Sequence, residues 1–487
     1  MRLHAARLLI VSLLAWSTSS AFSQPQPATV NARIDSAPRV LETVPPGGSL
    51  LFPRDGRVAV RFSAPLDPAS VTLDTLQVHG RWSGPVGGSL SMSPDGRIVI
   101  FDRDRPFSAG EMVMVNLTRG LRSVSGAPLS RGYAFSFWAR ADRGSQRFDF
   151  VGQLVPGNTP YGAHGGDLDD DGDLDLSVPN ENSHDVSVFV NLGADQFSTA
   201  TNYRVGVHCS PIEGVDLNGD GVVDLATANI LDNDVSVLLG VGDATFDPQF
   251  RYGVGGEPRG LAAFDMDGDG DVDLVTANRV SGNLTVLLNN GDATFVAQPA
   301  IEAGVNGETG VAPADLNGDG VLDLVVIGYS NSRIATLLGD GAGGFAAHAS
   351  FSTGSRPWMV VCGDVNGDGF ADAACANAFG GSATVLFGDG AGGLHSRVDY
   401  PCGDFPIAID LGDIDGDGDL DMTTSAFSSG DFRVFENDGA GQFTELVRLD
   451  ASITGSCTVL HDRDGDGDVD ITGIDEIADL IFLFRQR

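Results

Sequence analysis

A nine-residue acidic pattern, Asp-x-[Asp/Asn]-x-Asp-Gly-x-x-Asp, begins at Asp167, Asp216, Asp265, Asp315, Asp364, Asp413 and Asp462, with a spacing of 49 residues and a single 50. A fixed period of this length marks a chain built from copies of one supersecondary unit. A second landmark keeps the same beat: Phe197, Phe246, Phe295, Phe345, Leu394 and Phe443 each stand thirty residues after a start. The seventh would fall past Arg487, whereas Phe148 stands nineteen residues before the first start, the usual distance from aromatic to next loop. The array thus begins with the last segment of one unit and ends with the first three of another. A closed ring accounts for that offset, because an N-terminal strand can complete the C-terminal unit; an open solenoid does not.

Within the third unit, Gly260 to Phe264 is a short apolar run before the acidic loop, followed by Leu274 to Ala277, a turn at Val280 to Asn283, Leu284 to Leu288, and Phe295 to Glu302. β-Branched residues between Gly, Asn and Asp punctuation predict four short strands, and no unit carries a helical period. Seven such units predict an all-β fold: a seven-bladed β-propeller over residues 146–487, with its N-terminal strand closing the last blade. Ile481 to Phe484 falls in phase with the third strand and is read as strand.

Residues 38–140 lack the beat. Val58 to Phe62, Val71 to Val78, Arg97 to Phe101, Met112 to Leu117 and Tyr133 to Phe137, separated by Asp-Gly and proline turns, predict an Ig-like β-sandwich. Ala139 to Ser145 reads as a short linker and residues 24–37 as an unstructured lead-in. Residues 1–23 read as a signal peptide, with Arg2 and Arg7 ahead of the apolar run Leu8 to Trp16 and small residues near Ser23. That run is shorter than the roughly 20 residues a membrane span needs, so the mature chain is expected to be exported without a transmembrane segment, secreted or held at a bacterial cell surface or periplasm.

The formal charge of −37 is unevenly placed: +6 through residue 140 and −43 beyond it. Such a surface repels phosphate, which argues against a nucleic acid partner. With no lysine in the chain, a Schiff base and a P-loop are ruled out. The five cysteines are too few for a disulfide framework and odd in number; a bridge between Cys362 and Cys375 and buried free thiols both stay open.

Carboxylates at alternate loop positions suit a hard cation that takes six to eight oxygens. The expected side-chain ligands are Asp167, Asp169, Asp171 and Asp175; Asp216, Asn218, Asp220 and Asp224; Asp265, Asp267, Asp269 and Asp273; Asp315, Asn317, Asp319 and Asp323; Asp364, Asn366, Asp368 and Asp372; Asp413, Asp415, Asp417 and Asp421; and Asp462, Asp464, Asp466 and Asp470. Backbone carbonyls of Asp173, Val222, Asp271, Val321, Phe370, Asp419 and Asp468 would complete them, giving up to seven structural Ca2+ ions. One such loop would be an ordinary solvated turn; seven in register would crowd carboxylates at a large electrostatic cost without a cation. An EF-hand needs a Glu at the twelfth position and flanking helices, and here Val178, Thr227, Thr276, Val326, Cys375, Thr424 and Gly473 stand there. Magnesium prefers rigid octahedral sites, and zinc would require His or Cys beside the loops.

On these residues, 146–487 resembles the FG-GAP and VCBS repeat family, the calcium-binding propellers related to the integrin α-subunit head. The matching elements are Gly255-x-x-Pro258, the loop Asp265 to Asp273, and Asn290-Gly291-x-x-x-Phe295. The unit of Asp315 lacks the proline, Leu394 replaces the aromatic, and Ile453 to Cys457 is short. Separately, Val60-Arg61-Phe62-Ser63-x-Pro65-Leu66-Asp67-Pro68, with Tyr133 to Trp138, resembles a bacterial Ig-like module of the SbsA type.

The propeller resemblance implies that a ligand meets the metal-free face, where the candidates are Tyr161, His184, His208, Arg259, Tyr329, Arg356, Trp358 and Phe405. It implies a binding or adhesion module for an extracellular protein, glycan or surface polymer. The alternative is an extracellular polysaccharide lyase or hydrolase. No Gly-x-Ser-x-Gly elbow or His-Glu-x-x-His is present, and no catalytic residue is assigned.

Overall fold

The computed structural model describes residues 37–487; the leader and nearly all of the lead-in expected from the sequence lie outside them. Among the described residues the protein is all-β, with one 3-10 turn at Pro68–Ser70, and no helix is long and apolar enough to cross a membrane.

The N-terminal region is a pair of four-stranded antiparallel sheets. Val40–Val44, Val58–Phe62, Ile98–Arg103 and Gly88–Met92 form one; Gly84–Pro85, Leu76–Gly80, Met112–Leu117 and Tyr133–Trp138 form the other. Alternation decides which side chains turn inward: Val58, Val60 and Phe62 are buried and join Phe101, Val113 and Phe137 in one core. The run expected from Val71 to Val78 is strand only from Leu76. Thr75 instead turns back on its own chain, its hydroxyl donating to the Ser70 carbonyl at 2.7 Å and accepting from Thr72 N at 3.0 Å, a side-chain competition that breaks strands.

Beyond residue 147 every strand belongs to a four-stranded antiparallel sheet, arranged in a propeller-like series. The third sheet shows the unit: Pro258–Phe264, Asp273–Asn278, Asn283–Asn289 and Phe295–Ala297. Its second strand, paired on both sides, is buried throughout, whereas fourth strands such as Leu394–Pro401 have mostly exposed residues. The final sheet takes Cys457–His461, Asp470–Asp475 and Leu480–Gln486 from the end of the chain and Phe148–Leu154 from before the first loop, with Gln486 opposite Phe148. First strands of successive sheets lie side by side, and Cys457–His461 lies against His164–Gly166 of the first sheet.

The thirty-residue landmark has a packing reason. Tyr252 meets Phe295 edge-on at 5.0 Å between ring centroids, and its hydroxyl donates to Ala293 O at 2.7 Å, clamping the Gly-rich turn; Tyr400 repeats this with Phe443 and Gly441 O. A landmark not noticed in the sequence sits at the end of the second strand, where buried Asn180, Asn229, Asn278 and Asn377 donate across the next turn, Asn278 Nδ2 to Asn283 Oδ1 and Thr285 Oγ1 at 3.0 Å each. All five cysteines are free thiols, and Cys209, Cys375, Cys402 and Cys457 are buried.

The supposed linker is not loose. Ala141 is buried among Ile414, Leu460 and Val469, and Asp142 N donates to Gly467 O at 2.8 Å. The Ig-like region is seated on the acidic-loop side of the sheets: Arg119 N donates to Gly268 O at 2.8 Å, Ala134 N to Gly320 O at 2.7 Å and Gln77 Nε2 to Gly270 O at 2.6 Å. Gly132 approaches so closely that an added Cβ would lie 2.5 Å from Gly268 Cα. Gly132→Ala is therefore expected to lower stability by about 1–3 kcal/mol and to speed tryptic cleavage after the exposed Arg143, read by timed proteolysis and gel.

Candidate functional site

Each acidic loop joins a first strand to a second. The sixth position is glycine in all seven and holds a left-handed φ, from +79° at Gly320 to +104° at Gly270, a backbone state in which a Cβ is disfavoured. The turn it permits folds the first, third and fifth side chains toward one point in three loops, and the first, third and ninth in the loop of Asp413. Carboxylate oxygens of Asp167, Asp169 and Asp171 lie within 4.8 Å of one another, as do those of Asp265, Asp267 and Asp269, of Asp413, Asp415 and Asp421, and of Asp462, Asp464 and Asp466. Burial and like charge both disfavour ionisation there: burial first, then Asp417 and Asp415, push Asp413 up to about 7.

Three of these four loops also hold orphaned oxygens of the kind a hard cation takes. Asp167 Oδ1, Asp169 Oδ1, Asp413 Oδ2, Asp419 Oδ1, Asp462 Oδ1 and Asp468 Oδ1 are buried with no hydrogen-bond partner, and buried acceptors are rarely left so. Asp265 instead accepts from Gly268 N at 2.7 Å and Gly270 N at 3.0 Å, a pattern shared by the loops with Asn at the third position. There Asp216, Asp315 and Asp364 each accept from two glycine amides of their own loop, Asp315 from Gly318 N at 2.9 Å and Gly320 N at 2.8 Å, and no carboxylate triple of Asn218, Asn317 or Asn366 loops comes together among the described residues.

The ninth position has a role that the pattern alone did not reveal. Asp273 accepts from Met266 N and Asn289 N, both at 2.8 Å; Asp175, Asp224, Asp323, Asp372 and Asp421 make the equivalent pair of bonds. This carboxylate ties the loop to the end of the third strand. A buried amide then ties neighbouring sheets: Asn289 Nδ2 donates to Leu217 O at 2.7 Å, and Asn191 Nδ2 to Arg463 O at 3.0 Å, joining the first sheet to the last.

Arginines of the Ig-like region meet this same surface. Arg105 contacts Asp167 at 3.0 Å and Asp170 at 2.6 Å, Arg131 contacts Asp319 at 3.2 Å, and Arg119 lies 3.6 Å from Asp267. The segregation of +6 from −43 along the chain was the signal for this docking.

First strands run toward the acidic loops, so their starts lie at the opposite face. Five successive sheets place a left-handed residue there, His208, Glu257, Gly307, Arg356 and Phe405, with φ between +53° and +68°; for non-glycine residues that is a costly state, common at binding sites. The structure brings the ligand-face candidates together in two linked groups. Trp358 Nε1 donates to the Tyr161 hydroxyl at 2.5 Å and Tyr329 stands edge-on to Trp358 at 5.5 Å, continuing through Phe379 and Phe405 to Phe427. Arg259 lies 5.5 Å over Trp358, and Arg356 lies 4.4 Å over Phe379. Beside them His208 Nε2 is 2.8 Å from Glu181, Arg259 is 3.8 Å from it, and His184 Nδ1 accepts from His208 N at 3.1 Å. Phe379, Phe427, Glu181 and the neighbouring Glu476 were missed in the sequence, because each occurs in one unit and breaks no pattern. Burial, reinforced by Glu181, raises Glu476 to about 7.

Fold and site define an all-β protein with propeller-like sheets, acidic loops on one face and an aromatic arc on the other. FG-GAP-like repeats match residues 216–276, 265–326 and 315–375, and a bacterial Ig-like domain matches residues 34–138; the chain carries FG-GAP repeats behind a bacterial Ig-like domain. No curated protein matches it. Among solved structures, BBS1N in complex with ARL6DN, soaked with lead, is 13% identical with a TM-score of 0.52, covering 70% of this chain and 97% of that one. Virginiamycin B lyase from Staphylococcus aureus is 14% identical, covering 69% and 99%, with a TM-score of 0.47. A lectin of Agrocybe aegerita, described as recognising non-reducing terminal N-acetylglucosamine, is 19% identical, covering 78% and 90%, with a TM-score of 0.42.

Proposed function

We propose that residues 146–487 form a closed seven-bladed β-propeller stabilised by Ca2+ in its acidic loops, and that the exported chain is a binding module for an extracellular protein, glycan or surface polymer. The observation that carries the metal reading is the convergence of three carboxylates in each of four loops, with buried, unpartnered oxygens in three of them. Asp167, Asp169 and Asp171, with their counterparts from Asp265 and Asp462 and with Asp413, Asp415 and Asp421, would hold the ion; when bound, calcium supplies positive charge and a six- to eight-oxygen shell that cancels the repulsion. The pairing of Phe148–Leu154 with Leu480–Gln486 supports closure. The 1–23 leader, the 38–140 sandwich and the 146–487 propeller are the domain boundaries of this reading.

For binding, the support is the gathering of aromatic and cationic side chains at the face the metal loops leave free. Such surfaces, aromatic and arginine-rich, dominate recognition energetics. A screen of extracellular proteins and glycans is expected to yield a ligand whose capture Phe379→Ala weakens at least tenfold without changing the melting temperature by more than a degree or two; capture indifferent to Phe379 and Arg356 would remove this face from the reading.

The second reading, cleavage of a polysaccharide, has one specific observation in its favour: Glu181, His208 and the raised acid Glu476 stand beside Tyr161, outside the repeated aspartates. Glu181 is already engaged by His208 and Arg259, which favours binding. Incubation with acidic polysaccharides separates the two: new reducing or unsaturated ends, lost in Glu181→Gln, establish cleavage.

A further inference from the structure

A cavity of about 340 Å³ runs between the first strands, within the range of roughly 300–1,000 Å³ usual for small-molecule sites. Tyr161 and Trp358 stand at its end away from the acidic loops, while Trp82, Met112 and Trp138 of the Ig-like region line its other end. Because that region is seated on the acidic-loop face and lines the cavity there, that end is closed, which leaves the Tyr161 and Trp358 end for entry.

Most of its wall is apolar, but Glu213 also lines it. No hydrogen bond or ion pair reaches the Glu213 carboxylate among the described residues. Burial raises it to about 7, against the pull of Arg81. Arg81 is itself taken, with Nη1 2.8 Å from Asp410 Oδ1 and its guanidinium 4.1 Å over the Trp82 ring. His79 and His164, which also line the cavity, are shifted by burial toward the neutral form, His164 to about 4. Arg81 is paired with Asp410, Arg259, which also lines the cavity, lies 3.8 Å from Glu181, the imidazoles contribute no charge at neutral pH, and Glu213 is left without a partner of its own in an aromatic, Met-lined space. A buried carboxylate is stabilised by a cation brought to it, and aromatic faces attract the same cation.

We propose that this cavity is a two-domain blind pocket for an ammonium group carried on an apolar body, with Glu213 as its anionic receptor. The proposal deepens, and rests on, the reading of this chain as a binding module. The ammonium could come from a free amine or from a lysine side chain of a protein partner, and the chain itself contains no lysine.

Every tryptophan among the described residues, Trp82, Trp138 and Trp358, lines the cavity, so intrinsic fluorescence reports its occupancy. The full chain, in millimolar calcium, is titrated with benzylammonium, benzyl alcohol and benzoate. The expected result is a saturable fluorescence change with benzylammonium at least tenfold tighter than with the alcohol, no response to benzoate, and loss of the ammonium preference in Glu213→Gln. Glu213→Asp, which keeps the charge and retracts it, serves if the glutamine variant does not fold and is expected to weaken the ammonium several-fold. A lysine-terminated peptide as a further arm assigns the source: binding with acetyl-lysine excluded points to a protein partner, and binding of the free amine alone to a small molecule. Equal affinity for amine and alcohol, amine binding unchanged in the Glu213 variants, or no response to any probe overturns the pocket. If the screen above still yields a ligand dependent on Phe379, the binding reading survives that failure; if neither appears, both fall.

Discussion

Stripping divalent cations from the folded chain is expected to lower its melting temperature by more than about 10 °C. A site held at a hundredfold excess over its Kd contributes about 2.7 kcal/mol, and each kcal/mol moves the midpoint by about 2–4 °C in a domain of some 150–250 residues and by somewhat less in one the size of residues 146–487. Four loops that gather three carboxylates each are enough to reach that shift even if the Asn-bearing loops add nothing. The electrostatics give the sign: without the ion, buried like charges such as those around Asp413 and Asp419 destabilise the fold, and Asp419 is pushed up to about 7 by burial and then by Asp417. Calorimetry with and without chelator measures it, and readdition of calcium, not of magnesium at equal concentration, should restore the midpoint.

The second large effect separates two roles inside one loop. Asp273 is 1% exposed and holds Met266 N and Asn289 N. Asp273→Ala leaves two buried amides without an acceptor, at about 1–3 kcal/mol each, so a loss of about 2–6 kcal/mol is expected with chelator present as well as without. Asp269 is exposed, and its side chain accepts only the amide of Asp271 at 3.0 Å. Asp269→Asn is expected to cost stability in calcium, by no more than the single-site contribution of about 2.7 kcal/mol, and almost nothing after chelation. Denaturant melts of both variants in the two conditions give the four numbers; equal losses for Asp269→Asn with and without chelator would remove the metal from that loop.

The all-β class, the four-strand unit and the Ig-like region were legible because each rests on local alternation or on a repeat. Leu480–Gln486 could be read as a strand against its helix-like composition because phase outranks local propensity, and it does pair with Phe148–Leu154. What depends on residues distant in sequence was not legible. Nothing in Arg105 or Gly132 announces that they face Asp167 and Gly268; only the charge segregation hinted at it. The ninth aspartate, written in the pattern as one more oxygen donor, is visible as a clip between loop and third strand only once Asn289 N is in place. Ligand-face candidates such as Arg259 and Trp358 could be named one at a time, but their grouping with Phe379, Glu181 and Glu476 needs the closing of sheet upon sheet. Glu213 carried no signal at all, since an isolated Glu in an inner strand gains meaning only from the cavity it lines.

Metal content tests the central claim most directly. Native mass spectrometry of the purified full chain, exchanged into calcium and then freed of unbound ion, is expected to show four to seven calcium ions per chain, with the first four held most tightly. A chain that is folded and carries no calcium would contradict the account.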